Sequence, residues 1–277
     1  RLLDRAVDLA PEDSGVLSHL LVERASERAT IRDLDGARQD LDRVLGGAED
    51  AVRARALTIL GFVFQIEGDL DTSADHLRRA LALWRALGDR AGEGEALRRY
   101  GITCLQGHDV CAADDALSEA LSIAQELSDR REEAWALWHL AELSFYSGRT
   151  DEAVERLHRA GRAFLEAGDI GGLGWVKGLL GYTAFIQGRR EEAEQIAVAI
   201  LDQARDRGDP WALAMILLLL ASVRLWQGQA AAAVAPAQEA ARMFRAINDL
   251  DGEMRATGVV ARAMAATGRG AEAWQAL

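Results

Sequence analysis

The sequence predicts an all-α chain, a right-handed superhelical solenoid of tandem antiparallel helix pairs. Three observations carry that prediction. Turn residues recur every 40 positions, at Gly88-Asp89, Ser128-Asp129, Gly168-Asp169, Gly208-Asp209 and Asn248-Asp249. A second turn keeps the same step at Gly68, His108, Gly148, Gly188, Gly228 and Gly268, with Gly107 beside the exceptional histidine. Between the turns apolar residues return at i, i+3, i+4 and i+7, the spacing of one helix face, and strand-like alternation is absent.

Each unit reads as helix, turn, helix. The first helix buries a stripe such as Leu57, Leu60, Gly61 and Phe64, repeated as Leu97, Tyr100, Gly101 and Cys104. The second carries a small residue at Ser73, Ala113, Ala153, Ala193, Ala233 and Ala273, followed by Leu77, Leu117, Leu157, Ala197, Ala237 and Leu277. A third set completes it at Ala80, Ala120, Ala160, Ile200 and Ala240. Small side chains at fixed positions let two helix axes approach closely. Glycine at the turns supplies a left-handed residue after a helix, while Asp69, Asp129, Asp169, Asp209 and Asp249 can cap the next N-terminus. Each helix should run about 16 to 18 residues, roughly 25 Å.

This register makes one array of repeats over the whole chain, at about 18–53, 54–93, 94–133, 134–173, 174–213 and 214–253, with partial units at 1–17 and 254–277. In the first repeat Ala37 lies 36 residues before Ser73, and Leu21 and Ala25 both fit its small interior position. Pro236 should kink the second helix of the sixth repeat, since it removes a backbone hydrogen bond.

Composition narrows the function. Of 277 residues 49% are hydrophobic and 27% charged, which is material for a packed protein rather than a disordered one. The longest uncharged stretch, Pro210 to Val223, is shorter than the about 20 apolar residues a bilayer requires, so no membrane span is expected. A net charge of −12 repels phosphate backbones and argues against direct nucleic-acid contact. Cys104 and Cys111 match neither a disulfide framework nor a zinc pattern, which favours a reducing, cytoplasmic location. The chain starts at Arg1 and stops inside a helical pattern, so it is read as a segment of something longer.

The pattern Leu137, Leu140, Ala141, Ala153, Leu157 and Ala160 resembles that of the tetratricopeptide repeats (TPR). Ala6 and Pro11 resemble the close of an earlier repeat. The other units lack that proline and span 40 residues instead of 34, and such long repeats are similar to the sensor arms of bacterial STAND-type and antibiotic regulatory transcription activators. The resemblance implies a solenoid that binds a partner as the sensor or docking arm of a larger signalling or transcription regulator.

No residues converge as a catalytic, metal or cofactor site. No phosphate-binding loop is present, and the glycines at 171, 172, 174, 178 and 181 follow no strand and read as helix packing. His139 and Glu142 lack a third ligand and read as a hydrogen-bonding pair. His19, His76, His108 and His158 read as solvent-facing or turn residues. Cys104 is expected inside and Cys111 partly exposed.

The inner surface of a helix-pair stack is lined by the first helix of each unit. There the sequence places Trp135, Trp138, His139, Glu142, Phe145, Trp175, Gly178, Tyr182, Phe185 and Leu218. Arg55, Arg98 and Arg99 stand before this apolar centre, and Arg255 and Arg262 after it. An exposed apolar patch with Trp and Tyr anchors marks a binding site; the alternative is that the long helices bury some of these residues between adjacent repeats. The expected partner is a protein or peptide, or an apolar small effector with an anionic end held by arginine. The competing expectation is an assembly scaffold that mediates self-association or intramolecular domain packing, with apolar ends around Leu2, Leu3, Trp274 and Leu277.

Overall fold

A computed structural model describes residues 2–11, 15–47, 49–207, 210–247 and 249–275. Among these residues every regular element is an α-helix. The turn residues Gly208, Asp209 and Asn248 and the stripe residue Leu277 lie outside the described residues. The fold divides into two compact units, 1–143 and 144–277. The first holds α1 (Leu2–Leu9), α2 (Gly15–Thr30), α3 (Leu34–Leu45), α4 (Asp50–Glu67), α5 (Leu70–Leu87), α6 (Arg90–Gln106) and α7 (Val110–Glu126), together with most of α8 (Arg130–Tyr146). The second holds the last residues of α8 and then α9 (Thr150–Glu166), α10 (Ile170–Ile186), α11 (Arg190–Arg207) and α12 (Pro210–Trp226). It is completed by α13 (Ala230–Ala246), α14 (Leu250–Ala266) and α15 (Gly270–Gln275).

Within each unit helices stack in chain order. In the first, α4 packs on α5, α5 on α6 and α4 on α6; in the second, α10 packs on α11, α11 on α12 and α10 on α12. The local code follows from the turns. Gly68, Gly88, Gly148, Gly168, Gly188, Gly228 and Gly268 all have positive φ, and so do His108 and Ser128, which occupy the same positions without being glycine. Asp69, Asp129, Asp169 and Asp249 accept a hydrogen bond from the backbone N–H three residues on, as do Asp33, Asp89 and Asp109.

The small-residue stripe forms the core. Ser73, Ala113, Ala153, Ala193 and Ala233 are all fully buried, as are Leu77, Leu117, Leu157, Ala197 and Ala237. Ser73 stands where its counterparts are alanine, and its hydroxyl is satisfied by the Gly61 carbonyl at 2.7 Å and by Thr103 Oγ1 at 2.9 Å. Ala37, Leu21 and Ala25 are likewise buried in the first repeat. Pro236 lies inside a continuous α13. The carbonyl of Ala232, which its missing N–H would have served, takes a long 3.5 Å bond from Arg224 Nη1.

The packing also obeys a longer rule. At the end of each second helix the buried residue alternates between bulky and small: Trp84, Ala124, Phe164, Ala204, Phe244. Opposite each aromatic ring stands a glycine in the first turn of the next helix. A Cβ on Gly92 would come within 2.5 Å of the Trp84 ring, one on Gly172 within 2.3 Å of Phe164, and one on Gly252 within 2.4 Å of Phe244. Opposite the alanines stand Glu132 and Ala212. The structural period is therefore two repeats, or 80 residues.

Other charges close the joints between repeats. Asp40, 2% exposed, receives both Arg24, from Nε at 2.8 Å and Nη2 at 2.6 Å, and Arg28 at 2.8 Å. Glu93, 4% exposed, accepts from Arg85 and Arg90. Burial opposes its charge, but these two guanidinium groups outweigh it and hold the carboxyl below its ordinary range.

Candidate functional site

The inner-face residues of the first unit hold one another. Arg55 reaches Glu95 at 2.9 Å and Glu23 at 3.5 Å, so one guanidinium links α2, α4 and α6. Glu95 also pairs with Arg99 at 3.1 Å, one turn along α6. Arg99 lies over the Phe62 ring, 4.4 Å from its centroid. Arg98 donates to Glu132 on α8 at 2.8 Å. Burial works against the Glu95 carboxylate, yet Arg99, Arg55 and Arg98 together keep its pKa low.

This corrects the sequence expectation for Arg98 and Arg99. Instead of offering positive charge to an anionic ligand, each is engaged by a carboxylate of its own unit. The partner of Arg98 lies 34 residues on, on the next inner helix, whereas that of Arg99 is Glu95, one turn back on α6.

The aromatic centre on α8 is also closed. Trp138 is 7% exposed and His139 9% exposed, so neither lines an open groove as expected. The His139 imidazole lies 4.9 Å from the Trp138 ring, edge-on, and stacks at 6.2 Å on Trp135. Its Nδ1 is 3.3 Å from Glu142 Oε2, the pair the i, i+3 spacing predicts. Burial lowers the His139 pKa, with Glu142 opposing, so the neutral ring is favoured. Trp135 remains half-buried. His76, read as solvent-facing, is also half-buried and stacks on Phe64 at 5.3 Å.

The second unit presents a different surface. Its α10 carries one charged residue, Lys177, and α12 also one, Arg224. Trp175 stacks on Trp211 at 5.0 Å. Trp211 Nε1 donates at 2.7 Å to Asp249, whose other carboxylate oxygen caps α14. Tyr182 donates at 2.9 Å to the Met215 carbonyl, and burial raises its pKa far above the ordinary phenol range. Phe185, like Tyr182, is partly buried against the core cluster that includes Ala184, Ala197 and Ile200. Leu218, expected in the groove, is 3% exposed because it belongs to the core shared by α12, α13 and α14.

What stays open is a ridge of large apolar residues. Tyr146, Ile186 and Trp226, each the last residue of a first helix and 40 positions apart, are 65%, 61% and 59% exposed. Phe145 contacts Tyr146 edge-on at 5.5 Å. Arg190 lies 5.6 Å above the Trp226 ring. Neither Tyr146, Ile186 and Trp226 nor Trp211 is among the anchors the sequence singles out. The signal for the ridge was the same column that gives Gln106 in the first unit.

The glycine cluster divides. Gly172 and Gly181 are packing glycines, a Cβ meeting Phe164 and Leu219 at 2.3 and 2.7 Å. A Cβ on Gly178 would meet nothing within 4 Å. A mid-helix glycine costs about 1 kcal/mol relative to alanine, and here no internal contact offsets it. Among the described residues no group of three or more His, Cys, Asp or Glu side chains could hold a metal ion, and no helix is long and apolar enough to cross a membrane.

Comparison with known proteins agrees with this geometry. A tetratricopeptide repeat model matches residues 52–126. The regulatory protein AfsR of Streptomyces griseus is 29% identical over 194 residues, which cover 70% of this chain; the match spans only 19% of that protein. A Rap protein complexed with competence and sporulation factor superposes with a TM-score of 0.70 at 15% identity, covering 98% of this chain and 80% of that one. A STAND protein with a tetratricopeptide repeat sensor from Pyrococcus horikoshii gives 0.71 at 12% identity, over 100% of this chain and 43% of that one. NprR in complex with its cognate peptide NprX gives 0.67 at 13% identity, over 92% and 75%. The chain therefore carries tetratricopeptide repeats at 52–126 and has the fold of TPR-like helical solenoids.

Proposed function

We propose that the chain is a non-enzymatic peptide- or protein-binding module, the sensor or docking arm of a larger bacterial signalling or transcription regulator. The observation that carries this reading is the apolar inner face of the second unit, where Tyr146, Ile186 and Trp226 stay exposed in three consecutive repeats. Water-exposed aromatic and branched side chains in a regular row are the anchors a partner would bury. Likeness to AfsR, to a STAND protein with a TPR sensor, to a Rap protein complexed with competence and sporulation factor and to NprR bound to its cognate peptide supports the regulatory and peptide-binding parts of the proposal. Occupancy would act by population shift, favouring whichever arrangement of the regulator binds the partner better.

The test is a screen of the 277-residue chain against an array of synthetic peptides, with binders titrated by tryptophan fluorescence. Trp175→Ala and Trp226→Ser should each weaken binding at least tenfold while helicity by circular dichroism is kept. Unchanged affinity in both variants overturns the assignment of this face.

A second reading is self-association, favoured by the 81% exposure of Trp274 and 78% exposure of Leu250. Sedimentation separates them, since a concentration-dependent dimer lost in Trp274→Ser would support assembly.

A further inference from the structure

We propose that the inner face of the second unit takes an extended acidic peptide, its main chain lying over Gly178 and Gly258 and its carboxylate meeting Arg255 and Arg262; this rests on the peptide-binding reading. Most helical glycines of the chain have an internal reason. A Cβ would strike Leu77 from Gly61, Trp84 from Gly92, Leu117 from Gly101, Phe164 from Gly172, Leu219 from Gly181 and Phe244 from Gly252. Gly178 and Gly258 have nothing within 4 Å. They sit 80 residues apart, at the ninth residue of α10 and of α14, and their counterparts on the other inner helices are large: Leu218 on α12 between them, Trp138 on α8 and Arg98 on α6 before them.

The fold accepts a large residue at that position and does not use its absence here. The absence leaves bare helix backbone facing the same side as Trp175, Tyr182 and the Ile186–Trp226 edge. A bound chain can come closest where neither partner has a side chain. Hydrogen-bonding capacity does not compete, because the Tyr182 hydroxyl already serves Met215.

Charge selects the peptide. The inner positions held by Trp175 and Tyr182 on α10 are held by Arg255 and Arg262 on α14. Arg255 is close enough to Tyr182 to stabilise a phenolate, and its one carboxylate neighbour, Asp251, is 3.4 Å away and exposed. Arg262 has no carboxylate within 4.0 Å among the described residues; its Nε donates to the Gly258 carbonyl at 3.1 Å. That contact sets a guanidinium directly beside the open glycine. In the first unit every comparable arginine is neutralised, so an acidic, apolar segment finds its complement on α10 to α14.

The probe is a set of synthetic heptapeptides of Leu, Phe, Gly and Ser carrying one central Glu or Gln, each with a free or an amidated C-terminus. They are titrated into the 277-residue chain and into Gly178→Leu, Gly258→Leu and Arg262→Gln. The Glu peptides should bind at least tenfold tighter than the Gln peptides, and Arg262→Gln should erase that ratio. A preference for the free terminus over Glu would assign the same arginines to a C-terminal carboxylate. Gly178→Leu should weaken binding at least tenfold while melting no lower than the parent, since leucine favours a helix more than glycine does. Equal binding by both glycine variants, or by Glu and Gln peptides alike, overturns the inference and leaves peptide binding standing. No binding by this set or by the wider peptide array removes both.

Discussion

The two units set the same helices to opposite uses. On α4 and α6 the inner face carries charge that is internally matched, Arg55 with Glu95 and Arg99 with Glu95, and Arg98 reaches Glu132 at the start of α8. On α10 and α12 it is aromatic and aliphatic, and its outermost residues stay in water. The backbone registers are equivalent, so the repeat fixes where side chains stand and leaves their chemistry free. In the first unit charge is turned inward to hold neighbouring helices; in the second, apolar area is left over.

Three measurements would break or sharpen that contrast. The largest effect is expected from Asp40→Ala, which strands Arg24 and Arg28 beside a buried site and should cost about 3–5 kcal/mol in urea unfolding. A loss below about 1 kcal/mol would mean that the charges of the first unit are not what binds its helices. Next comes Glu95→Gln, which leaves Arg55 and Arg99 without their shared carboxylate. It should cost about 1–3 kcal/mol, with no change in peptide binding by the second unit. A binding defect there would show that the two faces act as one.

The smallest effect concerns acid. Burial lowers the folded pKa of His139, whereas the unfolded chain takes up a proton below about 6.5. Stability contributed by the neutral ring is thus present above that pH and is lost as pH falls, at no more than about 1.4 kcal/mol per unit. Thermal melts from pH 7 to pH 5.5 should show this decline, and His139→Gln should flatten it. An identical slope in the variant would remove His139 as its source. Glu93, held low by Arg85 and Arg90, loses its contribution only further into acid, below the ordinary carboxylate range.

The sequence reveals spacing well and contacts poorly. Turn positions recur visibly because left-handed residues must follow each helix, and the rule holds even at His108 and Ser128. The alanine stripe is legible because close helix approach excludes anything larger. The site was harder. Helical phase places Trp138 and Leu218 on the inner helices but cannot say how deeply neighbouring helices cover them. Arginine side chains are long enough to reach a carboxylate on the next repeat, so Arg98 looked available when read along one helix, whereas the Glu95–Arg99 spacing of four already offered that pair. Gly178 was visible as a gap, but only the neighbours of its missing Cβ separate it from Gly172 and Gly181.

The aromatic-over-glycine alternation bears on how such an array can be spliced. Excising residues 90–129 would hand Trp84 a following helix that offers Glu132 where Gly92 stood, and its Cβ would meet the indole. Excising 90–169 would hand it Gly172 and restore the fit. The heritable brick of this wall is a double hairpin, and recombination that moves single ones leaves a misfit seam.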